Sequence, residues 1–209
     1  MKYRTNIYTN VVRDLDECAS LIVDNKQIVA IFQNDAEIGP RALGNRSILF
    51  DPTNPNAKEI VNSVKQREWW RPFAGTILLE HVHDYFFMDS LEESPFMSFA
   101  IKAKPLAKTK VPSIVHFDDT CRIQTLSEEQ NPNYYNLISK VYEKTGVPII
   151  FNTSFNLAGE ALVDTIEDAI DTCNRSEINQ LYVPEDQEID IPYYKIREKS
   201  FPISDDEPE

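Results

Sequence analysis

Gly39-Pro40-Arg41-Ala42-Leu43-Gly44-Asn45-Arg46-Ser47-Ile48-Leu49 is the stretch around which the chain is organised. Gly39 and Pro40 set a turn, and Gly44 permits close backbone approach. Two arginines on such a loop can converge on one anion, because a guanidinium matches phosphate or carboxylate oxygens two at a time. Alternatively, one of them pairs with a carboxylate such as Glu37 and braces the turn. Far downstream, Val147-Pro148-Ile149-Ile150-Phe151 reads as a central strand that ends in Asn152-Thr153-Ser154-Phe155-Asn156. Open α/β sheets bind ligands where strands end. The two stretches are therefore expected to form two walls of one pocket for a phosphorylated ligand.

Outward from these walls, helices and strands alternate. A leading arm over residues 1–13 precedes a helix capped by Asp14 or Asp16, with Cys18, Leu21 and Ile22 on one face. Gln27 to Phe32 is a buried strand. Asn54-Pro55 starts a helix whose stripe is Ile60, Val61 and Val64. Gly75 to Leu79 is a strand, His81 to Phe87 a short helix and Pro95 to Ile101 another strand. Lys102 to Pro112 reads as a basic, proline-punctuated connector. Ile114 to Phe117 and Cys121 to Leu126 flank an Asp118-Asp119-Thr120 turn, as a hairpin or as two strands of one sheet. Tyr134 to Thr145 is an amphipathic helix closed by Gly146. Thr165 and Asp168 make a capping box, and Gln180 to Val183 is a last strand. No regular βαβ cycle, GxGxxG or Walker A motif is present, so an irregular, twisted, open mixed sheet with flanking helices in a single α/β domain is expected. That domain spans residues 1–183. An acidic, proline-containing tail over 184–209 follows, with its end expected to be disordered.

At 209 residues, with a net charge of −13, the chain is not expected to bind nucleic acid directly, since that needs a basic footprint. A local cationic island exists nonetheless: Arg41, Arg46, Lys58, Lys65, Arg67 and Arg71 against Asp51, Glu59 and Glu68. The three cysteines are widely spaced and suggest neither a disulfide framework nor a zinc site, so no metal centre is expected. With no signal peptide and no long apolar run, a soluble, cytoplasmic protein without a membrane partner is expected.

Further candidates lie between the walls. Lys65, Arg67 and Arg71 bracket Trp69-Trp70, so either the cations lie over the indoles or the aromatics wall a pocket. His116 beside Asp118-Asp119 could bind a metal or move a proton, although a lone His at a strand end is more often structural. Arg122, projecting from a strand, is the stronger functional candidate. Asn152, Ser154 and Asn156 suit hydrogen bonding to phosphate or ribose; Ser154 lacks a nucleophile elbow.

Several motifs in order resemble the O-carbamoyltransferase family of nodulation, cephamycin and aminoglycoside carbamoyltransferases. They are Glu37 to Leu49, Lys65-Gln66-Arg67-Glu68-Trp69-Trp70-Arg71-Pro72-Phe73-Ala74, His116 to Thr125, Phe151 to Asn156, Gly159-Glu160, and Asp164 to Ala169. The resemblance covers residues 15–183 and only the C-terminal, YrdC-like half of that family. Three departures stand out: Asn34-Asp35-Ala36 before Glu37, Asp118-Asp119 where the family has Asp-Gly, and Cys121 for a small residue.

The resemblance implies a YrdC-like fold that makes carbamoyl adenylate from carbamoyl phosphate and ATP, with Mg²⁺ accompanying the ATP. A Kae1-like, actin-related partner would pass the carbamoyl group to the hydroxyl of a small-molecule or nucleoside acceptor. Carried over by motif, Arg41, Lys65, Arg71 and Arg122 are catalytic. Arg46, Arg67, His116, Thr120, Asn152, Ser154 and Asn156 bind substrate or nucleotide. The chain would be a free-standing subunit or a piece of a longer protein. The alternatives are a non-catalytic nucleotide-binding subunit and a Sua5-like threonylcarbamoyl-AMP synthase.

Overall fold

A computed structural model describes residues 9–189. The chain forms one nine-stranded mixed sheet: β1 (Asn10–Val12), β2 (Val29–Phe32), β3 (Arg46–Phe50), β4 (Ala74–Leu78), β5 (Phe86–Phe87), β6 (Ala100–Ala103), β7 (Thr120–Leu126), β8 (Ile149–Ser154) and β9 (Gln180–Tyr182). Their order is β1-β9-β2-β3-β8-β4-β7-β6-β5. The β1–β9, β9–β2 and β4–β7 pairs are parallel and the rest antiparallel. The helices are α1 (Leu15–Val23), α2 (Ala57–Val64), α3 (Val82–Tyr85), α4 (Pro105–Lys110), α5 (Pro132–Thr145) and α6 (Ile166–Asn174).

Period-two alternation splits the core between the two sheet faces. Val29, Ile31, Leu49 and Ile150 pack with Ile22 of α1 and with Tyr134, Leu137, Ile138 and Val141 of α5. Ala30, Phe32, Ile48, Phe50 and Phe151 pack with Val61 of α2 and Ile170 of α6. Strands buried on both faces read as unbroken apolar runs, which is why β2, β3 and β8 are visible in the sequence. Helix ends follow local chemistry. The Asp14 carboxylate accepts from Glu17 N at 2.7 Å. Asn131 caps α5, Pro132 occupies its first turn, and Gly146 closes it at φ 69°. Thr165 and Asp168 form the expected capping box.

Several expected elements differ. Pro95 to Ile101 is not one strand; β6 begins only at Ala100, because Met97 sits at φ 53°, outside the β region. Within Lys102 to Pro112, α4 replaces the connector: Pro105 fits a first helical turn, where its missing N–H costs nothing. Ile114 to Phe117 is no strand. Pro112–Ile114 is a 3₁₀ turn, and β7 pairs with β4 and β6 instead. His81 to Phe87 divides into a 3₁₀ turn (Leu79–His81), α3 and β5. On α2, Ile60 points outward, and Asn62 joins Ala57, Val61 and Val64 on the buried face. Trp69 and Trp70 are exposed, yet Trp70 shows both expected arrangements: the Arg71 Cζ lies 5.7 Å from its ring centroid, and it walls a surface pocket with Phe73 and Phe117.

All three cysteines are buried and free. No helix among the described residues is long and apolar enough to cross a membrane. The start of the leading arm and the end of the acidic tail lie outside the described residues.

Candidate functional site: a cationic cleft at the strand ends

Sheet register assembles the floor of the site. Ala74 of β4 stands opposite Arg122 of β7 on one side and Asn152 of β8 on the other. Ser154 ends β8 opposite Ser47 of β3. Register partners 48, 78 and 107 positions apart in the chain are thereby aligned at the strand ends.

The Gly39–Asn45 loop forms a wall over this floor. Glu37 shapes it without pairing with either arginine. Its Oε1 accepts from the backbone N–H groups of Leu43 at 2.6 Å, Asn45 at 2.8 Å and Arg46 at 3.3 Å. A buried polar network then ties the loop to the sheet. Gln124 Nε2 donates to Leu43 O at 3.0 Å, and Asn152 Nδ2 donates to Ala42 O at 3.2 Å and Thr76 Oγ1 at 3.0 Å. Thr76 Oγ1 also accepts from Tyr134 Oη at 2.9 Å and donates to Gln124 Oε1 at 2.9 Å. Asn152 Oδ1 is buried without a protein partner.

Arg41 and Arg122 meet at the cleft. Among the described residues neither forms an ion pair, and Arg41 Nη1 donates only to the neighbouring Pro40 carbonyl, at 3.0 Å. Burial, then the charge of Arg122, pulls the Arg41 pKa below the usual arginine value. Two partly desolvated like charges without a carboxylate are a binding opportunity for an anion.

The other wall is the turn after α2. Gln66 reverses the chain at φ 55°. The Lys65 ammonium is buried and donates to Ser154 O, to Asn156 O at 2.8 Å and to Asn156 Oδ1 at 2.9 Å. Burial, then the charge of Arg67, lowers its pKa to about 7. The Ser154 hydroxyl donates to Asn156 Oδ1 at 2.7 Å, and Asn156 Nδ2 donates to Glu160 O at 2.8 Å. Lys65, Ser154 and Asn156 thus form a self-bonded corner, with the lysine serving the loop first. Arg67 stacks on Phe73, its Cζ 4.1 Å from the ring centroid, and burial, then Arg71, brings its pKa to about 10.

The resulting cleft has two parts. The inner one, ≈ 140 Å³, is lined by Arg41, Arg67, His116, Arg122, Asn152 and Ser154, among others. The outer one, ≈ 790 Å³, is lined by Lys65, Arg67, Arg71, Ser154 and Asn156 with the Leu157-Ala158-Gly159 turn. Arg67 and Ser154 belong to both. Arg71 is the most exposed of these cations and pairs with Glu68 at 2.6 Å.

Two candidates from the sequence lie elsewhere. Arg46 is buried. Its Nη1 donates to Gln33 O at 2.6 Å, its Nη2 to Asp164 O at 3.2 Å, and its Cζ lies 3.5 Å from the Phe32 ring centroid. It holds the sheet and does not converge with Arg41. Thr120 lies behind His116: its hydroxyl donates to Asp118 Oδ1 at 2.7 Å and lies 3.3 Å from His116 Nδ1. His116 Nε2 is 3.1 Å from the Phe73 carbonyl, which only accepts. That nitrogen therefore carries hydrogen and is not a metal ligand. Asp119 adopts φ 65°, a conformation aspartate tolerates better than most side chains. No group of three or more His, Cys, Asp or Glu side chains suited to a metal ion occurs among the described residues.

Sequence reasoning missed Asn62, Thr76 and Gln124. Each is a buried polar residue on an apolar face, a signal visible only once the face is known.

The model of the family described as "Carbamoyltransferase C-terminus" matches residues 19–187. An uncharacterized protein of Methanocaldococcus jannaschii, MJ1051, is 39% identical over 170 residues, covering 81% of this chain and 32% of that protein. Nodulation protein NolO of Bradyrhizobium diazoefficiens is 38% identical over 173 residues, covering 80% and 32%. The chain spans about a third of the length of these relatives. Among solved structures, full-length HypF in its phosphate- and nucleotide-bound form superposes with a TM-score of 0.60 at 20% identity, covering 86% of this chain and 26% of that one. YciO of E. coli gives 0.54 at 14% identity, covering 88% and 84%. These likenesses show the YrdC-like fold, whose mixed sheet carries the cleft just described. The chain belongs to the carbamoyltransferase C-terminus family.

Proposed function

We propose that this chain is the carbamoyl-activating domain of an O-carbamoyltransferase. The reading rests above all on Arg41 and Arg122, which converge at the strand ends with no carboxylate partner among the described residues. Arg67 adds a third positive charge where the two parts of the cleft meet. The outer part falls within the roughly 300–1,000 Å³ typical of small-molecule sites, and the inner part is smaller. The outer part would hold ATP, with Mg²⁺ arriving on its phosphates. The inner part would hold carbamoyl phosphate.

The chemistry needs positioning and charge neutralisation more than a base. Carbamoyl phosphate gives up orthophosphate to water, leaving carbamate. The anionic carbamate oxygen attacks the α-phosphorus of ATP, the bond to the β-phosphate oxygen breaks, and pyrophosphate leaves. Arg41, Arg122 and Arg67 would stabilise the charge that builds on the phosphoryl oxygens. The Lys65–Ser154–Asn156 corner would hold the backbone against which the nucleotide lies. A Kae1-like partner would then move the carbamoyl group from the adenylate to an acceptor hydroxyl.

Exchange of labelled pyrophosphate into ATP, dependent on carbamoyl phosphate, tests this. Absence of exchange with and without a co-purified partner overturns it. ATP binding without exchange would instead favour a nucleotide-binding subunit. Exchange supported by threonine and bicarbonate would favour a threonylcarbamoyl-AMP synthase.

A further inference from the structure

Asn62 sits on the buried face of α2 and is 1% exposed. Its side chain does not serve its own helix. Nδ2 donates to Trp69 O at 3.0 Å and to Arg71 O at 3.1 Å, and Oδ1 accepts from Arg67 Nε. Its backbone carbonyl accepts from Arg67 N at 3.1 Å. One residue thus fixes both ends of the Arg67–Arg71 turn.

The turn's other ties lie at its surface: Arg71 N donates to Glu68 O at 3.2 Å and the Arg71 side chain pairs with Glu68 at 2.6 Å. Glu68, Trp69, Trp70 and Arg71 are all exposed, so apolar burial does not set its shape. The chain enters it through Gln66 at φ 55°, a conformation that costs a side chain energy and persists only when its surroundings hold it. The required hydrogen-bonding pattern is two donors and one acceptor on a short stem. Only an amide offers it: a carboxylate has no donor, and a hydroxyl has one. The acceptor is spent on Arg67 Nε. The guanidinium plane is therefore fixed against Phe73, with Nη2 toward Pro72 O and the same side chain lining both parts of the cleft.

We propose that Asn62 is a positioning residue for anion binding: its amide presets the Arg67 guanidinium in the seam of the cleft. It acts through Arg67 and touches no ligand itself. The inference rests on the cleft being the nucleotide site, and its test separates the two.

ATP affinity is measured by calorimetry, and stability by urea denaturation, for the wild type, Asn62→Ala, Asn62→Asp, Arg67→Ala and the Asn62→Ala/Arg67→Ala double variant. Val141→Ala in α5, remote from the cleft, reports the effect of lost stability alone. Asn62→Ala should weaken ATP binding about tenfold, on the scale of one charge-assisted hydrogen bond. Asn62→Asp should weaken it at least as much, since it removes both donors and offsets the Arg67 charge. Val141→Ala should leave affinity unchanged. Once Arg67 is alanine, removing the Asn62 amide should cost almost nothing more. Equal losses in both backgrounds, or unchanged affinity in Asn62→Ala, overturn the proposal. It also falls if neither Asn62 variant folds, because the residue is then structural. A wild-type protein that binds no ATP overturns the cleft reading itself, and this proposal with it.

Discussion

Gly44 lies against the ring of Tyr134 so closely that a β-carbon on it would stand 2.2 Å from Cδ1 and 2.6 Å from Cε1. The arginine-bearing loop therefore packs backbone to ring on α5. Gly44 also has φ 109°, which side chains rarely adopt. Gly44→Ala combines overpacking with backbone strain and is expected to cost about 3 kcal/mol or more. Gly146→Ala, at φ 69° with nothing within 4 Å, is expected to cost only about 1 kcal/mol. Urea melts of both variants check this; equal losses would show that the contact with Tyr134 does not matter.

Behind that contact, Thr76 Oγ1 serves Tyr134, Gln124 and Asn152 together. Thr76→Val should destabilise by about 2–3 kcal/mol, because it strands several buried groups. Tyr134→Phe removes one hydroxyl and should cost about 1 kcal/mol. The ranking is the test, read from denaturation midpoints at unchanged slope.

Arg41 and Arg46 are expected to fail in opposite ways. Arg41→Ala should weaken binding of carbamoyl phosphate by about 1.5–3 kcal/mol with little loss of stability, since Arg41 lines the inner part of the cleft and has no ion-pair partner among the described residues. Arg46→Lys should lose about 1–2 kcal/mol of stability and retain affinity, because lysine cannot reproduce stacking on Phe32 together with the contacts to Gln33 O and Asp164 O. Calorimetry and denaturation on the same samples decide between them. An affinity loss confined to Arg46→Lys would reverse the assignment.

The buried Lys65 ammonium makes the protein sensitive to pH. Its folded pKa of about 7 lies below the 10.5 of an ordinary lysine, so between these values the unfolded chain holds a proton that the folded chain lacks. The Lys65 contribution to stability therefore rises with pH across that window and is least favourable below about pH 7. An anion in the cleft favours the ammonium, so binding should take up protons and weaken as pH rises above 7. Sulfate, which does not titrate in this range, is the suitable probe. Binding enthalpies in two buffers of different ionisation heat should reveal uptake in the wild type and none in Lys65→Met. No uptake in the wild type would remove Lys65 from the electrostatics of the site.

The sequence by itself determined the parts of this protein that depend on neighbouring residues. The apolar runs of β2, β3 and β8 read directly because both faces of those strands are buried. Asp14, Gly146 and the Thr165–Asp168 box mark helix ends through bonds spanning a few residues. The order of the motifs indicated the family, and Arg41, Arg67 and Arg122, picked out as candidates in the sequence, are brought to one cleft. Local signals misled where proline and a left-handed residue carried a different meaning, as at Pro105 and Met97. Tertiary structure alone decided how the cations divide. Arg46 folds under Phe32 while Arg41 faces Arg122, and Lys65 turns inward to the β8 corner. It also revealed that Asn62, an unremarked polar residue on an apolar stripe, fixes the turn carrying Arg67. The physical reason is range. Helix caps and strand burial are set by nearby residues, whereas a guanidinium's role depends on which carbonyl, ring or open space the packed sheet places beside it.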